Sequence, residues 1–544
     1  MSRFFLALAS LAIVAFGQPS VSIWLGVLAA LFGYALFWHS INIYPFAYQR
    51  FWRAGVWYTA VSLIQLSWMT SIEFQGVYIL FVMAGLSVWL GLQFALLTLL
   101  IPHNRSLSAV RLLAIASLWT LMEWSRGYYM LCGFSWNPAG LAFSQIFSMQ
   151  LASVLGVLGL SFWVMLVNLL ALRAWMKKRL SSGIVWGAAA AFPFLFGALH
   201  LLYHENEKSK SAASHLDCVL VQTGLLPSEK IPLQGHFKAF ISPYDQWKRI
   251  LTYLKEQGRS PQLIVLPEGV VPFSSDRCSY DKTKVERLFI ALFGSSAQDA
   301  FPEEEGPFVS NMFWTQTLSN LFQSEVVIGL DHQEGARAHN SAFHFVPGSV
   351  ITPKRYDKRI LMPLAEYLPS EWLRPLVKNY GIEDFFTPGR TAQVFQGAIP
   401  FAVSICYEET FSEPIRQGRQ QGARLLVNVT NDGWYPHSRL PRQHYTHAKM
   451  RAVENGVPLI RACNTGVTAA VDSLGREVGR LVESNSQGHP YAGALFTSLD
   501  TYTYPTLYLL WGDGGILTLS MLFIFIFVLL KTYPLAQKLY LRRR

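Results

Sequence analysis

Cysteine is scarce: 544 residues hold five, at Cys132, Cys218, Cys278, Cys406 and Cys463, without metal-type spacing. An odd number leaves at least one thiol unpaired, and no disulfide framework is implied. Charge is scarce as well. Asp, Glu, Lys and Arg make up 15% of the chain, against 51% hydrophobic and 14% aromatic residues, which excludes a wholly soluble globular protein. The apolar run from Phe4 to Phe16 lacks a small-residue cleavage site after it, so it is read as an uncleaved anchor and not as a signal peptide. Internal repeats are missing too. The net charge of +11 raises the question of nucleic acid, but much of the excess lies beside apolar spans and in Arg542-Arg543-Arg544. Membrane topology explains that placement, and no nucleic-acid partner is expected.

Long apolar runs fill residues 1–203 and recur near the C-terminus. They suggest about eight spans, at 4–17, 22–38, 54–70, 76–101, 110–130, 151–174, 183–203 and 509–530, the first two short for a ~30 Å hydrocarbon core. Arg3, Arg50, Arg53, Arg105, Arg111, Arg173, Lys177, Lys178, Arg179 and the cluster from Lys531 all fall on one side. The connections 18–21, 71–75 and 131–150 on the other side contain no Lys or Arg. The positive-inside rule then places both termini in the cytoplasm and exports the segment between. The expected domains are a membrane bundle at 1–203, an exported domain at 204–508, and a last span with a basic tail at 509–544. In the fifth span Glu123 and Arg126 share a helix face, as a functional pair or as a structural ion pair.

The exported segment alternates in character. Strand-like runs at 216–222, 263–266, 325–330, 342–346, 401–405, 425–429 and 459–462 are interleaved with helical candidates at 283–293, 310–322 and 440–455. That pattern predicts an α/β domain. Turn signals at Asp331-His332-Gln333-Glu334-Gly335 and Val346-Pro347-Gly348 predict an antiparallel hairpin within the sheet, and 294–307 is the candidate mobile loop.

Three apolar strands end abruptly on polar groups. Phe401-Ala402-Val403-Ser404-Ile405 stops at Cys406-Tyr407-Glu408-Glu409, ahead of a helix start with Ser412 as cap and Pro414 in the first turn. A thiol between strand end and helix start can be acidified by the helix dipole, although a lone cysteine is also commonly a small buried hydrophobe. Leu263-Ile264-Val265-Leu266-Pro267 ends on Glu268, and Leu425 to Thr430 ends on Asn431-Asp432-Gly433-Trp434. Strands ending together in this way suggest one rimmed site. In the proline-bounded loop from Tyr356 to Pro369, Lys358 and Glu366 interrupt an apolar sequence. A lysine there can stabilise an oxyanion beside a thiol; equally, Arg355, Lys358 and Arg359 can form a basic surface run.

Glu268 in Leu-Pro-Glu, Lys358 in Tyr-Asp-Lys and Cys406 in Ile-Cys-Tyr-Glu resemble the Glu-Lys-Cys triad of the nitrilase superfamily, over roughly residues 215–500. With eight membrane spans around such a domain, the chain is similar to the apolipoprotein N-acyltransferase family. Glu123, Arg126-Gly127, Gly133-Phe134-Ser135-Trp136, Asn431-Asp432-Gly433-Trp434, Gln443-His444, Met450-Arg451-Ala452 and Asn464-Thr465-Gly466-Val467-Thr468 add to the resemblance. It implies a nitrilase-like αββα sandwich in the bacterial inner membrane, facing the periplasm. It also implies transfer of an acyl chain from phospholipid to the N-terminal amine of a diacylglyceryl-cysteine on an apolipoprotein, by a ping-pong thioacyl mechanism without cofactor or metal. Glu268, Lys358 and Cys406 are then catalytic and Glu366, Tyr407 and Glu408 supporting, with Trp434, Glu123, Arg126 and Trp136 expected at the substrate. The alternatives are a membrane-anchored amidase or lipase using water, and a non-catalytic sensor or transporter. Leu361 to Pro369 and Trp372-Leu373-Arg374-Pro375-Leu376 are apolar enough to dip into the interface as a lid, or equally to form a buried core loop. Leu266, Leu364-Ala365 and Tyr435-Pro436 depart from the family pattern.

Overall fold

The computed structural model describes residues 3–18, 21–104, 107–129, 133–210, 214–233, 235, 237–349, 352–374, 385–484 and 488–541. Arg105, Cys132, Pro375, Leu376 and the Arg542-Arg543-Arg544 tail lie outside them. The chain divides into a helical unit (Met1–Thr70, Val77–Glu207 and Thr506–Arg544) and a second unit (Ser71–Gly76 and Lys208–Pro505).

Among the described residues five helices are long and apolar enough to cross a membrane: Ile23–Ile41, Tyr78–Thr98, Ala152–Lys177, Leu180–Lys210 and Leu507–Thr532. Arg3–Phe16 is apolar but shorter. Ala47–Gln65 and Ala109–Tyr128 are long enough, but Gln49, Arg50, Arg53 and Gln65 in the first and Arg111, Glu123 and Arg126 in the second dilute their apolar character. Arg3–Phe16 packs tightly on its neighbour: a Cβ on Gly17 would meet Ile13 O at 2.5 Å and Leu25 O at 2.9 Å. The second helix widens into one π turn at Ala29–Gly33. Asn168 takes up the groups this leaves over, donating through Nδ2 to Ala29 O (3.0 Å) and Ala30 O (2.8 Å) and accepting from Ala35 N (3.1 Å). Irregular backbone in a bundle survives only when its polar groups find such partners.

The second unit is an α/β sandwich. Its strands, among the described residues, are β1 (His215–Gln222), β2 (Leu263–Leu266), β3 (Tyr280–Asp281), β4 (Phe308–Val309), β5 (Glu325–Glu334), β6 (Arg337–Phe345), β7 (Lys354–Asp357), β8 (Val394–Phe395), β9 (Phe401–Ile405), β10 (Leu425–Thr430), β11 (Leu459–Cys463), β12 (Ala469–Val471), β13 (Glu477–Arg480) and β14 (Gly493–Asp500). They form sheets ordered β14-β1-β2-β5-β6-β7 and β13-β12-β11-β10-β9-β8, with β3-β4 as a separate pair. The centres, β1-β2-β5 and β9-β10-β11, are parallel and the flanks antiparallel.

Alternate residues of each central strand enter different cores. Leu263 and Val265 of β2, Phe401, Val403 and Ile405 of β9 and Leu425, Val427 and Val429 of β10 pack between the sheets. Ile264 and Leu266 face the helices Pro243–Gln257, Lys282–Phe293 and Asn311–Phe322 through Trp247, Phe289 and Trp314. Ala402 and Leu426 face Ser412–Gln420 and Leu440–Asn455 through Ile415, Ala448 and Ala452. Burial on both sides explains why these strands read as unbroken apolar runs.

Three local expectations change. Asp331 to Glu334 belong to β5 and the hairpin turns at Gly335 (φ 60°), because pairing with β6 runs out to Glu334↔Arg337. Ser412 is inside its helix, not its cap; Phe411 occupies the cap, and the Ser412 hydroxyl donates to Glu454 (3.2 Å). Within 294–307, Ser295–Ala300 forms a 3-10 turn that buries Ala297 and Ala300.

Candidate active site

Glu268 follows β2 and Cys406 follows β9, so both lie where parallel strands end at their carboxyl edges, the usual place for a site in such sheets. The backbone at Glu268 is tightly held. Its carbonyl accepts from Asn464 Nδ2 at 2.6 Å and Lys230 Nζ at 3.4 Å, and a Cβ on Gly329 of β5 would lie 2.6 Å from its Cα. Any side chain at 329 would push this loop out.

Lys358 follows β7. Pairing of β6 with β7 sets Ser341 opposite Asp357, and the Lys358 N–H donates to Asn340 O at 2.8 Å. Its side chain is 1% exposed, and the ammonium lies between two carboxylates, 3.3 Å from Glu268 Oε1 and 2.8 Å from Glu366 Oε1. Asn340 Nδ2 donates to the same two oxygens at 2.8 and 2.9 Å. Glu366 is fixed in turn by Met362 N, which donates to its Oε2 at 2.7 Å. The basic run read from sequence therefore splits. Arg355 stays outside with Glu334 (3.0 Å) and Asp357 (2.9 Å), whereas Lys358 turns inward. Burial works to lower the Lys358 pKa, but Glu268, Glu366 and Cys406 outweigh it and hold the ammonium charged well above its ordinary range.

Cys406 is partly exposed and has a left-handed backbone, φ 51°, which costs a non-glycine residue ~1 kcal/mol. Glu408 secures the turn. One of its oxygens accepts from Ile405 N (2.8 Å), the other from Arg359 N (2.6 Å) and Ile360 N (3.2 Å), and Tyr356 OH reaches both at 2.9 Å. A single buried carboxylate thus ties the cysteine turn to the lysine loop. Tyr407 is 2% exposed and packs edge-on against Phe411, 5.0 Å between centroids. The thiol itself is pushed up, first by burial and then by the charge of Glu268, with Lys358 opposing. The expectation of a thiol acidified by a helix dipole is therefore corrected: a 3-10 turn, Cys406–Thr410, intervenes before the helix, and the surroundings favour the neutral thiol. Such a thiol needs a base, and a carboxylate coupled to it is at hand.

Beneath Cys406 lies a second buried group that the sequence reading did not assemble. Arg461 of β11 pairs with Glu409 (3.0 Å) and Asp432 (3.2 Å), while His444 meets Asp432 (2.8 Å) and the Cys406 carbonyl (3.2 Å). One signal was available, the lone charge of Arg461 inside the apolar strand Leu459-Ile460-Arg461-Ala462-Cys463. Asn340 and Lys230 carried none.

The remaining expected residues are placed as follows. Trp434 is 36% exposed and edge-on to Phe74, with centroids 6.3 Å apart. In the helical unit Glu123 Oε1 accepts from Trp119 Nε1 (2.7 Å), Ala139 N (2.8 Å) and Arg126 Nη2 (3.2 Å), and Arg126 also reaches Gln93 (3.2 Å). Trp136 is buried against Trp68, 5.2 Å between centroids. Among the described residues no three His, Cys, Asp or Glu side chains are grouped to hold a metal ion.

Residues 242–498 match the carbon-nitrogen hydrolase family, and residues 10–170 match the apolipoprotein N-acyltransferase N-terminal domain. The apolipoprotein N-acyltransferase of Chlamydia pneumoniae is 33% identical over 532 residues, covering 94% of each chain. That of Chlamydia caviae is 31% identical over 541 residues, 96% of each. This chain belongs to the apolipoprotein N-acyltransferase family. Membership makes it an acyltransferase enzyme, built from a carbon-nitrogen hydrolase domain and a helical part. Among solved structures, XC1258 of Xanthomonas campestris, a CN-hydrolase superfamily protein, is 17% identical with a TM-score of 0.35, covering 52% of this chain and 90% of its own. Nit3 of Saccharomyces cerevisiae, a nitrilase-superfamily member, is 18% identical with a TM-score of 0.36, covering 53% and 93%. In this apolipoprotein N-acyltransferase family member, the departures from the family pattern noted in the sequence include Leu364, which has φ 67° just before the loop carries Glu366 into the site.

Proposed function

We propose that this enzyme moves an acyl chain from a phospholipid to the N-terminal amine of a diacylglyceryl-modified apolipoprotein, through a thioester on Cys406. The observation that carries the reading is the Lys358 ammonium shared by Glu268 and Glu366, with the neutral Cys406 thiol coupled to it. Glu268 takes the thiol proton, and the thiolate attacks the ester carbonyl. Lys358 stabilises the resulting oxyanion. Collapse breaks the ester C–O bond, Glu268 returns the proton to the departing lysophospholipid, and the acyl group stays on Cys406. The lipoprotein amine then attacks the thioester and loses a proton to Glu268; Cys406 leaves as thiolate and recovers that proton. Glu366 orients Lys358, Glu408 and Tyr407 hold the turn, and Trp434 offers an apolar wall to a chain. No diffusible cofactor is needed.

Both substrates are bilayer lipids, which gives the helical unit its purpose. The Lys and Arg asymmetry supports a multi-pass inner-membrane protein with cytoplasmic termini and the catalytic unit on the periplasmic face. Purified enzyme given phospholipid without acceptor should gain the mass of one acyl group on the Cys406 peptide and release lysophospholipid stoichiometrically. A diacylated lipopeptide with a free amine should discharge that group as amide, and Cys406→Ser should never acquire it. Steady release of fatty acid that the amine does not divert would establish the hydrolase instead.

A further inference from the structure

His444, on the helix Leu440–Asn455, is fully buried directly behind the nucleophile. Its Nδ1 is 2.8 Å from Asp432 Oδ1, in the turn after β10. Its Nε2 is 3.2 Å from the Cys406 carbonyl oxygen and 3.6 Å from Glu409 Oε2, in the 3-10 turn after β9. A carboxylate and a carbonyl can only accept, so both ring nitrogens must donate, and a histidine with two N–H groups is the imidazolium. The charge count agrees. Asp432, Glu409 and Arg461 are each at most 2% exposed, and Arg461 contacts both acids at 3.2 and 3.0 Å. Burial, with Asp432, pushes the Glu409 carboxyl up while Arg461 and His444 hold it down; with both acids ionised, one guanidinium leaves one negative charge, and buried charge persists only when it is paired. A proton on His444 closes the balance. Arg461 also directs Nη1 to Val467 O (3.0 Å) and Cys463 Sγ (3.1 Å), so it is committed on its other side.

We propose that His444 is a positioning residue for the nucleophile: as a buried imidazolium it clamps the Cys406 carbonyl, holding the left-handed backbone that presents the thiol, and balances Asp432 and Glu409. The inference rests on Cys406 being the nucleophile. Burial and the Arg461 and His444 charges act against each other on Asp432 and leave its carboxyl below the ordinary range, while the Asp432 charge adds to what holds the Cys406 thiol up. Discharging His444 leaves that charge unbalanced behind the thiol.

Alkylation by iodoacetamide reads the thiolate directly and independently of acyl transfer. Full-length enzyme in detergent is alkylated at a series of pH values from neutral upward, and because the thiol is held above the ordinary value of about 8.5, the profile is read from the rising limb of the alkylation rate on the Cys406 peptide, followed by mass spectrometry. His444→Gln can still donate to the Cys406 carbonyl but carries no charge; its alkylation profile should move to higher pH and its thioester formation should slow about tenfold. His444→Asn falls short of that carbonyl, and a displaced nucleophile should cost about a hundredfold in kcat with KM for lipopeptide unchanged. Asp432→Asn keeps an acceptor for Nδ1 while removing charge, so it should shift the profile to lower pH even if the His444 variants fold poorly. A His444→Gln profile and kcat equal to wild type, or an Asp432→Asn profile that does not move, overturns the role of His444. Full activity in Cys406→Ser overturns instead the reading on which it rests.

Discussion

Both units of the molecule bury charged side chains, and they do so differently. In the helical unit Glu123 and Arg126 are three residues apart on one helix, paired one to one at 3.2 Å, with Trp119 and Ala139 donating to the same Glu123 oxygen, Gln93 accepting from Arg126, and the second Glu123 oxygen buried without a hydrogen-bond partner among the described residues. In the α/β unit Glu268, Lys358 and Glu366 come from three separate segments, and one cation serves two carboxylates. The first group is balanced in charge. The second has a carboxylate in excess, and an excess carboxylate next to a neutral thiol is a place for that proton to go. The group behind Cys406 returns to balance once His444 is charged. Excess charge, and not burial itself, separates the group we propose to react from the two that hold structure.

The largest effect should come from removing the excess. Glu268→Gln leaves Lys358 paired with Glu366 and takes away the base, so acyl transfer should fall by about 10²–10⁴-fold. The same change removes a charge that holds the Cys406 thiol up, so alkylation of that thiol should become faster at a given pH. Measuring transfer and alkylation on one preparation separates the two roles. If Glu268 only positioned the turn, both rates would fall together.

The second effect should appear in stability. Glu123→Gln strands the Arg126 guanidinium in an apolar bundle, and breaking a buried pair costs about 3–5 kcal/mol. Adding Arg126→Met removes the stranded charge, and the double variant should recover most of the loss in thermal unfolding, with turnover close to wild type. That outcome fits a pair that balances charge and holds the bundle. A double variant that is stable yet inactive would move the pair to the substrate side, the other role its sequence position allowed.

Legibility from the sequence followed burial. Strands β2, β9, β10 and β11 are covered on both faces, so their apolar runs were readable almost to the residue, and with them the placing of Glu268 and Cys406 at strand ends. Short or half-covered strands such as β7, β8, β12 and β13 leave no comparable run. The helix Pro243–Gln257 was readable in principle, from the Ser242 cap, Pro243 at its first position, Trp247, Ile250, Leu251 and Leu254 on one face and Gly258 at its end. Lys358 was legible only through the family resemblance. Its local sequence is that of a surface run, and what buries it is the pairing of β6 with β7, which brings Asn340 beside it. His444 and Arg461 act through contacts between elements far apart in the chain, and neither role follows from nearby residues.

The smallest effect tests an exception to charge balance. Lys230 is 5% exposed, donates to the Glu268 carbonyl at 3.4 Å, and among the described residues has no carboxylate within 4.0 Å. Burial lowers its pKa from 10.5 to about 8, with Glu268 and Asp331 pulling the other way. The sign of the linkage is then fixed. Below about pH 8 the lysine is charged in both folded and unfolded chains, and the folded state bears the cost of burying that charge. Between about 8 and 10.5 the folded chain releases its proton first, so the cost fades and stability rises with pH. Lys230→Met should remove this slope. At about pH 7 the substitution sheds the buried charge but loses one long hydrogen bond, worth about 1 kcal/mol, to a carbonyl that Asn464 still holds at 2.6 Å. The variant should therefore be more stable than wild type by about 1–2 kcal/mol at about pH 7, with the difference shrinking as the pH approaches 10.5. Turnover should change less than in any variant above, because Glu268 keeps both its Asn464 anchor and its contact with Lys358. Thermal melts of the two proteins at neutral pH and near pH 10.5 decide the matter. A Met variant less stable at neutral pH, or a gap that widens with pH, would mean that the ammonium is paired after all and that charge balance extends to every buried cation in this unit.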